Sequence, residues 1–203
     1  MRLIVGISGA SGVAYGIRLL RALRTLEVES HLVMSRAAEL TLAHETDLTA
    51  QEVKALAMVN YPPGDLAAPL ASGSFQTMGM VVAPCSIRSM SEIATGVTST
   101  LLTRAADVCL KERRRLVLMV RETPLHLGHL RTMTQLAEFG AIIAPAMPAL
   151  YPRPESIEDI IDHGVGRLLD LFGLDSGLAH RWREGHAEGP RVRRLKPAGK
   201  AEG

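Results

Sequence analysis

Two cysteines in 203 residues, Cys85 and Cys109, are too few for a disulfide framework, and their spacing makes no CxxC motif. That scarcity fits a reducing compartment, and a cytoplasmic protein is expected. No run of eighteen apolar residues occurs. The apolar opening from Met1 to Ile7 is cut short by Gly6, Gly9 and Gly12, which leaves it too brief for a signal-peptide core or a membrane span. A strong charge of one sign is missing as well. The formal net charge is +2, and apart from a late cluster from Arg191 to Lys196 the basic residues are spread along the chain, so no nucleic-acid partner is expected.

Apolar material is what the chain does hold. Hydrophobic residues make up 47% of it, enough for one substantial core, so a single domain over residues 1–184 is expected, with one active site or one per subunit interface. A mean hydropathy of +0.13 in a soluble chain predicts apolar surface covered by other subunits, hence a homo-oligomer. Residues 185–203 are rich in Gly, Pro and basic residues without a hydrophobic period, and disorder is expected there.

Apolar runs and turn residues alternate in between. Leu3 to Ile7 reads as a buried strand, followed by a small-residue loop and a helix carrying Ile17, Leu19, Leu20 and Leu23. His31 to Met34 is a second strand, with Ser35 as N-cap of a helix over Ala37 to Leu42. Thr49 with Glu52 predicts a capped helix over Ala50 to Ala57. Asn60 to Gly79 has no period and reads as a long loop. Further strands are predicted at Met80 to Ala83 (closed by Pro84), Leu116 to Val120 and Ala141 to Ala144. Helices are predicted at Ser89 to Ala94, Leu101 to Lys111, His129 to Phe139 and Ser156 to Phe172. This is the pattern of an α/β, flavodoxin-like (Rossmann-like) three-layer fold, a parallel sheet with helices on both faces, which places ligands at the carboxyl ends of the strands.

Chemistry should therefore collect at that rim. The loop Gly6-Ile7-Ser8-Gly9-Ala10-Ser11-Gly12 opens a helix and reads either as a phosphate cradle of backbone N–H groups or as a tight turn. The second strand ends in Val33-Met34-Ser35 with no carboxylate for a ribose, which favours a mononucleotide over NAD. Pro84-Cys85-Ser86-Ile87-Arg88-Ser89 follows the third predicted strand. Ser86 and Ser89 read as helix caps or as donors to a phosphate, and Cys85 as a buried thiol or an unpaired nucleophile. Arg121 and Glu122 follow the next strand, where an anion clamp and an acid would stand. Tyr151, in a proline-rich loop, reads as packing or as a donor. His126 and His129 lie at i and i+3 with no acid or cysteine ligand placed beside them, so no metal is expected.

Taken together these motifs resemble the UbiX-type flavin prenyltransferase family, and within it the members associated with non-oxidative aromatic-acid decarboxylases. The resemblance runs from Met1 to about Trp182. It rests on Gly9-Ala10-Ser11-Gly12, Ala43-His44-Glu45-Thr46, Ala71-Ser72-Gly73-Ser74, Pro84-Cys85-Ser86, Arg104-Ala105-Ala106-Asp107-Val108, Leu110-Lys111-Glu112-Arg113, Arg121-Glu122-x-Pro124, His129-Leu130, Tyr151 and Arg181-Trp182. It implies that FMN is bound by Gly9, Ala10, Ser11, Ser35, Ser86, Ile87, Arg88, Ser89 and Arg121. It further implies that dimethylallyl phosphate is held by Lys111, Tyr151 and Arg167, with Arg104, Arg121 and Glu122 nearby. The implied reaction joins the dimethylallyl group to N5 and C6 of reduced FMN without a metal, for use by a UbiD-type decarboxylase. Glu122 is the implied acid toward the departing phosphate, and Ser11 with Glu45 a polar pair near N5; apart from the resemblance, Glu45 reads as a surface acid at a helix end. A dodecamer is the family's habit. The chain departs from the usual pattern at Val120 (often proline), Thr100 (often asparagine) and Leu66 (tryptophan in some members). An FMN-binding decarboxylase subunit or a flavin carrier without turnover are the competing expectations.

Overall fold

The computed structural model describes residues 1–182; the tail expected to be disordered lies outside the described residues. Six strands, β1 (Arg2–Ile7), β2 (Glu29–Met34), β3 (Val59–Tyr61), β4 (Gly79–Cys85), β5 (Arg115–Val120) and β6 (Ile142–Ile143), form one sheet. Their order is β3-β2-β1-β4-β5-β6 and every pairing is parallel. The chain builds outward from β1 through β2 to β3, then returns to add β4 on the other side of β1. The carboxyl ends of β1 and β4 therefore flank the topological switch point, where this architecture opens a crevice.

Helices cover both faces, which is why the strands read as almost unbroken apolar runs. Alternate side chains divide between two cores. Leu3, Val5, Ile7, Leu32, Met34, Val81, Ala83, Val117 and Met119 pack against α1 (Val13–Thr25), α2 (Arg36–Glu45), α3 (Ala50–Lys54) and α7 (Ile157–Asp170). Ile4, Val33, Met80, Val82, Leu116, Leu118 and Val120 face α4 (Ile87–Ala94), α5 (Leu101–Lys111), α6 (Leu127–Glu138) and a 3₁₀ turn at Pro69–Ala71. This is the period of two that a pleated strand imposes. No helix among the described residues is long and apolar enough to cross a membrane.

Several boundaries differ from the sequence expectation. The stretch expected to be loop from Asn60 begins inside β3, a three-residue edge strand too short to show a period. β4 does not close at Pro84 but continues to Cys85, and its register with β5 shifts between Val82 and Cys85. Proline has no N–H for a ladder, and that irregularity is where a sheet accommodates it. α3 stops at Lys54 and α7 at Asp170, each shorter than expected. α6 starts at Leu127 because His126 caps it, Nδ1 accepting from the N–H groups of Gly128 and His129.

Candidate active site

The rim at the switch point is stitched by a buried serine that sequence reasoning passed over. Ser8 is 1% exposed. Its hydroxyl donates to the Pro84 carbonyl at 2.9 Å and accepts the Ser86 N–H at 2.7 Å, locking the loop after β1 to the loop after β4. A lone serine in a glycine loop carries no sign of a partner 76 positions away.

Two helices begin at this rim. Ser35 caps α2, its Oγ accepting from the Ala38 N–H at 3.1 Å. Ser86 caps α4, accepting from the Ser89 N–H at 3.3 Å and donating to the Ser89 hydroxyl at 3.2 Å. Both N-termini border one cleft of about 560 Å³, whose lining includes Gly9, Ser35, Ser86, Arg88, Ser89 and Thr100. Paired helix N-termini combine orphan N–H groups with the positive ends of two dipoles, and serine hydroxyls add donors, so the cleft suits a phosphate. Its volume lies in the usual range for small-molecule sites. The serines thus cap helices and border the cleft at once, and the two readings of them are not exclusive.

At the helix end of the glycine loop two backbone N–H groups already have a partner. Gly12, at φ 100°, starts α1, and the carboxylate of Glu45 accepts the N–H of Gly12 at 2.9 Å and of Val13 at 3.0 Å. A side-chain carboxylate from the end of α2 therefore occupies the N-terminus of α1, where a dinucleotide fold would seat a pyrophosphate. Burial alone would raise the pKa of Glu45. Hydrogen bonds from the Ser11 hydroxyl and the Gly12 and Val13 N–H groups, with the charge of Arg121, outweigh it and hold the carboxyl below its ordinary value. Glu45 is therefore a helix-capping anion, not a loose surface acid, and Ser11, Glu45 and Arg121 share one corner of the rim.

Arg121 follows β5 with its N–H on the Cys85 carbonyl at 3.2 Å, and the exposed Glu122 accepts the Thr123 N–H at 2.9 Å. Ala10 is buried beside the cleft-lining Gly9, and Ile87 and Arg88 open α4, where Arg88 pairs with Glu92 at 2.8 Å. Cys85 is fully buried, which pushes its thiol up to about 12 and excludes the nucleophile reading.

The remaining expected residues stand elsewhere in the single chain. Lys111 ends α5, pairs with Glu112 and lies against Gly73, close to where β4 and β5 begin. Arg121 is at the far end of β5, and a strand of that length spans roughly 16–20 Å. A clamp uniting Lys111 with Arg121 at one rim is thus not formed within one chain. Arg104, on α5, donates to the Ala71 carbonyl at 3.2 Å and to Asp107 at 2.7 Å. Tyr151 and Arg167 belong to a third group around α7: Tyr151 meets His163, and Arg167 pairs with Asp170 at 2.6 Å. The rings of His126 and His129 lie 3.6 Å apart, and no cluster suited to a metal ion is found among the described residues.

Fold and cleft define the class: an α/β protein of flavodoxin-like build with a cleft bordered by two helix N-termini at its switch point. Comparison with known proteins narrows it. The family described as Flavoprotein matches residues 1–170. The flavin prenyltransferase UbiX of Escherichia coli (strain K12) is 60% identical over 185 residues, covering 90% of this chain and 98% of that protein. Among solved structures, AnUbiX (PadA1) in complex with FMN and dimethylallyl pyrophosphate aligns with a TM-score of 0.89 at 50% identity, covering 91% of this chain and 98% of the other. A dodecameric FMN-dependent UbiX-like decarboxylase from Escherichia coli O157:H7 aligns with a TM-score of 0.89 at 48% identity, over 91% and 100%. The chain belongs to the UbiX-type flavin prenyltransferases.

Proposed function

We propose that this chain transfers a dimethylallyl group from dimethylallyl phosphate to reduced FMN, with the FMN phosphate in the cleft between α2 and α4. The observation that carries the reading is the convergence of two serine-capped helix N-termini on a cleft whose neighbouring corner holds Ser11, Glu45 and Arg121. Ser35, Ser86 and Ser89 with the first N–H groups of each helix bind the phosphate, and the backbone at Gly9 and Ala10 lies along the bound flavin. Reduced FMN supplies the nucleophilic ring positions, N5 first and C6 second. Glu45, kept ionised by its four partners, accepts a hydrogen bond from Ser11 and fixes that hydroxyl toward N5. Glu122, exposed at the rim, delivers a proton toward the departing phosphate.

The donor phosphate needs several fixed cations and hydroxyls that strengthen as it leaves. Lys111, Arg104, Tyr151 and Arg167 supply them. Because Lys111 sits at the opposite end of β5 from Arg121, we place the second clamp between copies of the chain, each copy lending its strand-start end to a neighbour's rim. Exposed Leu127, Leu130, Met147, Leu150 and Ile157 give the apolar surface such an assembly covers, and a dodecamer is the proposed state. The product serves a UbiD-type decarboxylase in the cytoplasm, where two reduced, buried thiols are at home.

The test separates binding from chemistry. Glu122→Gln retains FMN at wild-type affinity and slows formation of prenylated flavin about 10²–10⁴-fold, the usual worth of a positioned acid. Loss of FMN from that variant would refute the role given to Glu122.

A further inference from the structure

Tyr151 has a hydroxyl already engaged on both sides. It donates to the His180 carbonyl at 2.8 Å, and Nε2 of His163 stands 3.3 Å from it. The other ring nitrogen of His163, Nδ1, accepts the backbone N–H of His180 at 3.3 Å. A backbone N–H can only donate, so Nδ1 carries no proton. The neutral ring then holds its proton on Nε2 and directs it at the Tyr151 oxygen. The bonds close a circuit: His180 N–H to His163, His163 to Tyr151, Tyr151 to His180 carbonyl. His163 is 7% exposed and meets the Tyr151 ring edge-on at 5.4 Å. Nothing in the mechanism above uses this histidine.

We propose that His163, in its Nε2–H form, is the positioning residue that aims the Tyr151 hydroxyl at the donor phosphate, and that a proton on Nδ1 releases the aim. The inference rests on the reading that Tyr151 meets that phosphate. To donate there, the phenol must give up the His180 carbonyl. The bond from His163 survives the exchange, holds the oxygen in place and polarises the phenol as a donor. A second proton on His163 would face Nδ1–H against the His180 N–H, two donors with no acceptor between them. The segment carrying His180 would then move off, and Tyr151 with it.

The surroundings favour the neutral ring. Burial first, then the neighbouring His180, Arg167 and Arg181, lower the pKa of His163, with Asp170 opposing. Arg153, Glu155 and Asp159 line the small cavity beside it. From the α1 side come Tyr15, against Gly164, and Arg18, paired with Asp162. The neutral form is complete above the ordinary histidine value and is lost as pH falls into the lowered range.

Trp182 is the chain's single tryptophan and lies edge-on to Tyr151 at 5.1 Å, so its fluorescence reports on this circuit without any turnover. Titrated from neutral to mildly acid pH, wild type and His180→Gln, which keeps the backbone groups, show a fluorescence transition below the ordinary histidine value. His163→Gln, whose amide can accept from His180 and donate to Tyr151, shows none. In turnover, His163→Gln keeps kcat/KM for dimethylallyl phosphate within about twofold and loses the acid limb of its pH profile. His163→Phe fills the volume but raises KM for the donor about tenfold, the worth of one hydrogen bond to a charged group, with FMN affinity unchanged. A fluorescence transition that persists in His163→Gln, or a wild-type KM in His163→Phe, overturns the proposal. A wild type that makes no prenylated flavin overturns the transfer reading instead, and the fluorescence titration still decides the link between His163 and Tyr151.

Discussion

Substituting Gly9 with alanine tests how closely the loop after β1 and α2 must approach for the cleft to form. A methyl group at Gly9 would stand 2.4 Å from Cβ of Ala37 and 3.1 Å from its carbonyl carbon. Ordinary carbon contacts are about 3.5–4.0 Å, so α2 would have to withdraw by roughly 1–1.5 Å. Neither atom belongs to a side chain that can rotate away, and the displaced turn of α2 is the one capped by Ser35. Overpacking of this kind costs about 1–3 kcal/mol, which lowers Tm by roughly 2–4 °C per kcal/mol in a chain of this size. Moving one lip of the proposed phosphate site by that distance should forfeit at least one charge-assisted hydrogen bond, about 1.5–3 kcal/mol, or a roughly 10–100-fold weaker Kd for FMN. Quenching of flavin fluorescence on titration gives Kd, and a thermal melt gives Tm. Gly64→Ala is the control, since Gly64 lines the same cleft and an added methyl there meets nothing within 4 Å. A Gly9→Ala protein with wild-type Kd and Tm would refute the reasoning.

Glu45→Gln removes the negative charge from the α1 N-terminus and is expected to cost about 0.5–1 kcal/mol at neutral pH. Because the folded-state pKa of Glu45 is lowered, its contribution is complete above the ordinary glutamate value and fades as pH falls through the lowered one. Melting curves of the variant and wild type should therefore converge in acid; a constant gap would contradict the assignment. Cys109, like Cys85, is buried and its thiol pushed up to about 12, so a colourimetric thiol reagent at neutral pH should find no reactive cysteine in the native protein and two after denaturation. Rapid native labelling would show the rim at Cys85 to be open.

The parallel three-layer fold was legible because strands buried on both faces leave nearly pure apolar runs, as in Leu3 to Ile7 and Leu116 to Val120. Local caps were legible too: Ser35 and the Thr49–Glu52 box act within one turn, so sequence neighbours suffice to see them. What escaped depends on distance along the chain. Ser8 reaches Pro84 across 76 positions and nothing in a lone serine announces such a partner, while Glu45 reaches Gly12 across 33, a pairing with the glycine loop that came from the family resemblance and not from the residue itself. Lys111 shows that closeness along the chain is no better a guide. It is ten positions from Arg121, yet β5 runs between them and carries them to opposite ends of the sheet. His163 gave no signal at all, since its role is set by the backbone of His180 and the phenol of Tyr151, which only the fold around α7 brings together.

The most direct measurement is the mass of the flavin itself. The protein is incubated without oxygen with reduced FMN and dimethylallyl phosphate, and the flavin is extracted and weighed by mass spectrometry. FMN carrying one added five-carbon unit is expected, with inorganic phosphate released in equal amount. FMN recovered unchanged beside intact donor would contradict it.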